Sequence, residues 1–181
     1  MNKKYITPTG ISGKSIKELR QTLGMTQKEF AEFCAVSKPT VERWEMGDKE
    51  VTGPINLISQ FVMLHPEVAD ELKLPKKEYP LRMYYYYKDT VCTVIDVDEA
   101  KRLVKIKNYA KNVMFRAFGV NESPSFEDYE EFIESRCFPR TRDKMKIMLE
   151  GLGIPFYDPI LIIEKTAGRM AEDDFWIKIE R

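Results

Sequence analysis

The sequence predicts an α+β protein in two parts. An all-α unit of five short helices occupies residues 1–72, and an α+β unit with a small antiparallel sheet and three helices occupies residues 81–181. Three observations predict it. Apolar residues recur at helical spacing as far as Leu72, behind repeated capping residues. A Pro- and Lys-rich stretch, LKLPKKEYP, then breaks the pattern, and residues 73–80 are assigned as a linker. Beyond it come runs rich in Tyr, Val and Ile, which is strand composition, before helical spacing returns.

Residues 1–14 are polar, contain Pro8, Gly10 and Gly13, and read as an arm. Ser15 and Glu18 have capping-box spacing and open the first helix, whose apolar face is Ile16, Leu19 and Leu23; Gly24 ends it. Thr26 and Glu29 repeat the box for the second helix, with Phe30, Phe33 and Cys34 inward and small Ala31 at a close approach. Ser37 caps the third, where Pro39 in the first turn loses an amide that had no partner. Gly47 stops it. Gly53-Pro54 starts the fourth, with Ile55, Ile58, Phe61 and Val62 recurring, and Pro66 opens a fifth to about Leu72. In the second part, residues 83–87, 91–97 and 103–109 are expected as strands, with a tight turn between the last two. Helices are expected over 125–137, 140–152 and 158–165, and 175–179 as a closing strand.

An apolar content of 43% and a charged content of 32% describe a soluble globular chain, not a disordered one. The net charge of zero argues against indiscriminate coating of nucleic acid, yet the charge is unevenly spread. Residues 1–47 carry eight basic against five acidic side chains, a balance of about +3. Residues 48–72 reverse the sign. Cys34, Cys92 and Cys137 are odd in number and widely spaced, which suggests neither a disulfide framework nor a zinc ribbon. With no signal peptide and no membrane span legible, a reducing cytoplasmic setting is expected, without membrane attachment.

Residues 15–72 resemble the XRE family of phage-repressor and Cro-like helix-turn-helix domains. The residues that carry the likeness are Gln27, Ala31, Ala35-Val36, Ser37-Lys38-Pro39-Thr40, Val41 and Trp44-Glu45-Met46-Gly47. The resemblance implies double-stranded DNA as a partner and a DNA-facing set of Gln27, Lys28, Ser37, Lys38, Pro39, Thr40, Arg43 and Lys49. Within it, Gln27 would bond a phosphate at a helix N-terminus, and Arg43 would read a guanine edge. The resemblance also implies an ion pair between Arg20 and Glu45. Trp44, on apolar spacing, reads as core. Three positions depart from the family pattern. Ala35 stands where a left-handed Gly is usual, and Met46 and Asp48 stand where phosphate contacts are common.

The second part offers no catalytic signature, so no enzyme activity and no cofactor or metal is expected. His65, the one histidine, has no partner at metal-ligand spacing and reads as a helix-end residue. Tyr84–Tyr87 alternate faces, so either both faces of the sheet are covered or one pair is an exposed patch for a protein. Arg136, Arg140, Arg142, Lys144 and Lys146 form a basic cluster, read as a solvated face or a second phosphate site. Asp158, Asp173 and Asp174 read as a helix cap and solvated charges. The order Arg-x-x-Pro-x-x-Arg at 136–142, a helix, then Gly168 to Ile177 resembles non-catalytic segments associated with Hip-type kinases of toxin–antitoxin modules. That likeness implies a kinase-like toxin as partner. The expectation is a sequence-specific DNA-binding regulator, a repressor and antitoxin-like autoregulator, acting as a homodimer with a protein-docking C-terminal unit. The alternative is a one-component regulator whose C-terminal unit binds a small effector.

Overall fold

The computed structural model describes residues 9–181, so most of the expected arm, residues 1–8, lies outside the described residues. The chain divides into two compact units, Met1–Lys73 and Leu74–Arg181.

The first unit contains α1 (Gly13–Thr22), α2 (Gln27–Phe33), α3 (Lys38–Met46), α4 (Pro54–Leu64) and α5 (Glu67–Glu71). Ile16, Leu19, Phe30, Ala31, Val41, Ile55 and Val62 are its buried core, with Trp44 packed against the edge. The start of α1 corrects the sequence reading. Ser12, not Ser15, is the cap, its hydroxyl accepting from the Ser15 amide at 3.1 Å. Ser15 and Glu18 therefore lie inside the helix. The last residues of the expected arm are ordered as well: Ile11 and Val51 exchange both backbone hydrogen bonds, at 2.9 and 2.8 Å. Gly13 follows because a Cβ there would stand 2.2 Å from the Trp44 carbonyl oxygen, so no side chain fits between α1 and α3.

The Thr26–Glu29 box forms as expected: the Glu29 amide donates to the Thr26 hydroxyl, and the Thr26 amide donates to the Glu29 carboxylate at 2.7 Å. Ser37 occupies the cap position of α3 but caps no amide; its hydroxyl is bonded to that of Thr40 at 2.9 Å. Phe61 departs from its expected core position. It is 49% exposed, and Leu57 and Leu64 beside it are more exposed still.

The second unit is a four-stranded antiparallel sheet in the order β3-β2-β1-β4, from β1 (Leu81–Tyr87), β2 (Thr90–Asp98), β3 (Leu103–Asn108) and β4 (Phe175–Glu180). A short 3-10 turn, Val113–Phe115, follows β3; then come α6 (Phe126–Ser135), α7 (Met145–Leu152) and α8 (Pro159–Thr166). Helix α6 packs against α8 and β3, and α8 packs against β4. The closing strand pairs with β1 from Arg82–Glu180 to Tyr87–Phe175.

The four tyrosines divide as their alternation requires. Tyr85 lies in the core, stacked on Phe175 at 4.9 Å and edge-on to Phe132 at 5.1 Å. Tyr84 and Tyr86 take the opposite face and are half-buried, with Tyr86 stacked on Trp176 at 4.2 Å. That face also holds a buried ion pair: Arg82 donates from Nε and Nη2 to Asp96, both at 2.6 Å. The stretch expected as a linker is tied to this pair. Arg82 Nη1 donates to the Pro75 carbonyl, and the Glu78 amide donates to Asp96.

Two further expectations need correction. The helix expected from residue 140 begins only at Met145, because Lys144 adopts a left-handed conformation and the Arg142 amide closes a turn onto Pro139. Arg136 is no member of a surface cluster. It is buried, donates to both Asp173 carboxylate oxygens at 2.6 and 3.0 Å, and also reaches the carbonyls of Gly168 and Phe175. Asp173 is thus the counter-ion of that buried guanidinium, reached from the surface, while Asp158 caps α8 and Asp174 meets Lys88 at the surface.

Candidate nucleic-acid interface

Helices α2 and α3 are joined by a turn whose conformation Ala35 sets. Its φ of 54° lies in the left-handed region, the position where the sequence departs from the usual glycine. The Val36 amide donates to the Ala31 carbonyl and the Ala35 amide to that of Glu32, which closes α2 with a Schellman motif. The chain then reverses into α3, which buries Val41 and turns its opposite side outward.

A polar clamp fixes α3 from beneath. Arg20 on α1 donates from Nε to Glu45 Oε1 at 2.6 Å and from Nη2 to Oε2 at 3.1 Å, while its Nη1 donates to the Met25 carbonyl. Gln27 Nε2 donates to the same carboxylate at 2.9 Å. The Arg20 hydrogen bond holds the Glu45 carboxyl below the ordinary glutamate range, with Gln27 and Lys17 adding to the effect. Glu45 raises Arg20 in turn. The pair expected from the family resemblance is therefore present, and it has a third member.

That third member changes the expected role of Gln27. Its side-chain amide was expected to meet a phosphate, but here it is bonded inward to Glu45. What Gln27 still offers outward is its backbone N–H at the first position of α2, where no intrahelical acceptor exists. Lys28 is exposed and only loosely paired with Glu32 at 4.0 Å.

The remaining expected residues fall on one ridge or beside it. Ser37, Lys38, Pro39, Arg43 and Lys49 are exposed, and Thr40 is partly so. Pro39, Arg43 and Met46 follow one another at helical spacing on the outward face of α3. Lys38 is drawn back to Glu42 at 2.9 Å, so a phosphate would compete with that carboxylate for it. Among the described residues, Arg43 has no hydrogen-bond or ion-pair partner. A helix of about 10–12 Å diameter carrying such a ridge has the width that the major groove admits.

Residues 16–55 match the family model described as Helix-turn-helix. This segment is a helix-turn-helix domain. Its bounds enclose the Ala35 turn, the Arg20–Glu45–Gln27 clamp and the whole of α3. The chain is also 36% identical over 75 residues to Antitoxin PezA of Streptococcus pneumoniae serotype 4 (strain ATCC BAA-334 / TIGR4). That match takes in 39% of this chain and 48% of the relative, so the chain spans about half of that relative's length.

One surface escaped the sequence reading. Leu57, Phe61 and Leu64 project from α4 at i, i+4 and i+7 spacing, 60%, 49% and 76% exposed, with the Phe61 ring 5.0 Å from that of His65. The signal was there: α4 of the helix-turn-helix unit is apolar on nearly every side, more than one buried stripe requires. His65 ends that helix, and its Nδ1 lies 3.3 Å from the Glu67 carboxylate. The cysteine thiols are poor nucleophiles, because burial pushes Cys34 up to about 11 and Cys137 up to about 12, and raises Cys92 too. Among the described residues no cluster could hold a metal ion, and no helix is long and apolar enough to cross a membrane.

Proposed function

We propose that the chain is a sequence-specific DNA-binding transcription regulator of antitoxin type, which binds a palindromic operator as a homodimer and represses by occupancy. The observation that carries this reading is Arg43. Its guanidinium is exposed and, among the described residues, unpartnered on the outward ridge of α3, while the clamp of Arg20, Glu45 and Gln27 holds that helix from behind. In this reading Arg43 grips guanine O6 and N7, Pro39 touches a thymine methyl, and Lys38, Thr40, Lys28, Ser37 and Lys49 serve the backbone or neighbouring bases.

The homodimer forms through the Leu57–Phe61–Leu64 face of α4, since contiguous exposed apolar side chains on a small soluble unit mark an association surface. A two-fold axis there places two α3 helices on successive half-sites. The C-terminal unit docks a protein. The match to an antitoxin and the resemblance of residues 81–181 to kinase-associated segments support a kinase-like toxin as that protein, and autoregulation of a shared operon as the logic. The half-exposed face of Tyr84, Tyr86 and Trp176, flanked by Arg169 and Lys178, has the aromatic and basic composition of a docking surface.

The test is selection of bound fragments. The full chain, incubated with sheared DNA of its host and sequenced with what it retains, is expected to enrich one palindromic site with half-sites about one helical turn apart. Retention without enrichment of any sequence would overturn the reading.

A further inference from the structure

Strand register orders the side chains on the sheet face opposite Tyr85, since residues paired across neighbouring strands share a face. One row is Glu180, Arg82, Asp96 and Lys105. Its charges are answered close by. Arg82 and Asp96 form the buried pair, Lys105 pairs with Glu78, and Glu180 accepts from the Tyr84 hydroxyl at 2.9 Å. The next row is Lys178, Tyr84, Val94 and Lys107, and beyond it Trp176 lies opposite Tyr86. None of these six residues carries a carboxylate.

The cations on this part of the face lie against rings. Lys178 Nζ is 5.9 Å from the Tyr84 ring centre, Lys107 Nζ is 4.8 Å from that of Tyr109, and the Arg169 guanidinium is 5.0 Å from that of Trp176. Lys178 and Arg169 are exposed and, among the described residues, form no ion pair. A ring face attracts a cation but leaves its charge uncancelled. At the border, the Asp174 carboxylate is taken by Lys88 at 3.5 Å, and the Trp176 indole N–H donates to the Lys88 carbonyl at 2.6 Å. The aromatic rows are therefore flanked by positive charge that they do not themselves balance.

Two kinds of anion could balance it, a nucleic-acid strand or the carboxylates of a protein. A strand gains its affinity by stacking bases on open ring faces. Here Trp176 already has Tyr86 against it at 4.2 Å, within 9° of parallel, and Arg169 over it, while Lys178 covers Tyr84. A base would have to displace one of these neighbours. A carboxylate needs only the exposed N–H groups of Arg169 and Lys178, and the guanidinium offers it a two-pronged contact.

We infer that the protein segment seated on the Tyr84, Tyr86 and Trp176 face is acidic, its carboxylates pairing with Arg169 and Lys178 on either side of the rings and its apolar atoms covering the ring edges. The inference rests on the reading of the C-terminal unit as a protein-docking unit, and adds the chemistry of what it docks.

The experiment is fluorescence anisotropy of labelled peptides titrated with the full chain. The peptides are equal in length and are repeats of Glu-Leu-Glu-Gly, Ser-Leu-Ser-Gly and Lys-Leu-Lys-Gly; single-stranded oligothymidylate is the fourth probe. The acidic peptide is expected to bind about tenfold or more tighter than the neutral one, and to lose about tenfold on Arg169→Glu or Lys178→Glu. Both side chains are exposed, so neither substitution strips a buried contact. Lys146→Glu, an exposed cation on α7, should leave binding unchanged. Equal binding of the neutral or basic peptide, still sensitive to Arg169→Glu and Lys178→Glu, would overturn the acidic assignment and leave protein docking standing. Oligothymidylate bound in place of every peptide, or no probe bound at about 1 mM protein, would overturn both. Acidic-peptide binding indifferent to both substitutions would overturn the site.

Discussion

Arg20 holds Glu45 by both carboxylate oxygens, at 2.6 and 3.1 Å, and through that grip fixes the distance between α1 and α3. The carboxylate is almost wholly shielded and also receives Gln27, so removing the guanidinium leaves a buried charge with one neutral donor. Arg20→Ala is expected to destabilise the first unit by on the order of 3 kcal/mol, the usual consequence of stripping one partner from a buried pair. Urea denaturation followed by NMR signals of residues in that unit measures it. Arg20→Lys should recover only part of the loss, because an ammonium lacks the planar fork that engages both oxygens.

The same pair sets a pH dependence. Glu45 titrates below its ordinary value in the folded protein because Arg20, and after it Gln27, hydrogen-bond the ionised form. A depressed carboxyl contributes stability that is complete above its unfolded pKa and is lost as pH falls through the folded value. The first unit is therefore expected to weaken progressively below about pH 4.5, and Glu45→Gln to flatten that decline. Thermal melts at stepped pH on both proteins give the comparison.

Ala35 carries a Cβ in a left-handed turn at φ 54°, a conformation that glycine adopts without penalty. Relief of about 1–2 kcal/mol of strain, partly offset by the greater freedom of glycine in the unfolded chain, leaves a net gain for Ala35→Gly of about 0.5–1 kcal/mol. Gly13 is the converse. A Cβ there meets the Trp44 carbonyl at 2.2 Å, so Gly13→Ala is expected to be destabilising, by about 1–3 kcal/mol, in the same denaturation assay.

In the proposed homodimer, the apolar face of α4 is the interface. Phe61→Asp places a charge in the middle of the Leu57–Phe61–Leu64 row without touching the buried Ile55 and Val62 on the other side of the helix. Sedimentation equilibrium is expected to show a dimer for the natural chain and a folded monomer for the variant. An unchanged dimer would move the interface elsewhere.

How far the sequence reveals this molecule depends on how local the deciding contacts are. The Thr26–Glu29 box, the Gly24 and Ala35 turns and the strand runs are set within a few residues, and they are legible. Helix α1 starts three residues before its sequence-predicted position because Ser12 and Ser15 are both competent caps, and the Ile11–Val51 bridge favours the earlier one. The start of α7 is not legible because nothing local marks Lys144 as left-handed. Arg136 read as a surface cation, yet its partners Gly168, Asp173 and Phe175 lie more than thirty residues along the chain. In the candidate interface, the Arg20–Glu45 pair implied by the family resemblance is formed. The inward bond of Gln27 is not legible, because it depends on how α2 crosses α3.

In the proposed function the α3 ridge, and Arg43 above all, reads bases. Fluorescence anisotropy with the full chain, comparing its selected duplex with a scrambled one at matched salt, tests this in natural and Arg43→Ala proteins. Arg43→Ala is expected to lose about 1–3 kcal/mol on the selected duplex, concentrated at one base position, with little change on the scrambled one. An equal fall on both duplexes, or no fall on either, would contradict it.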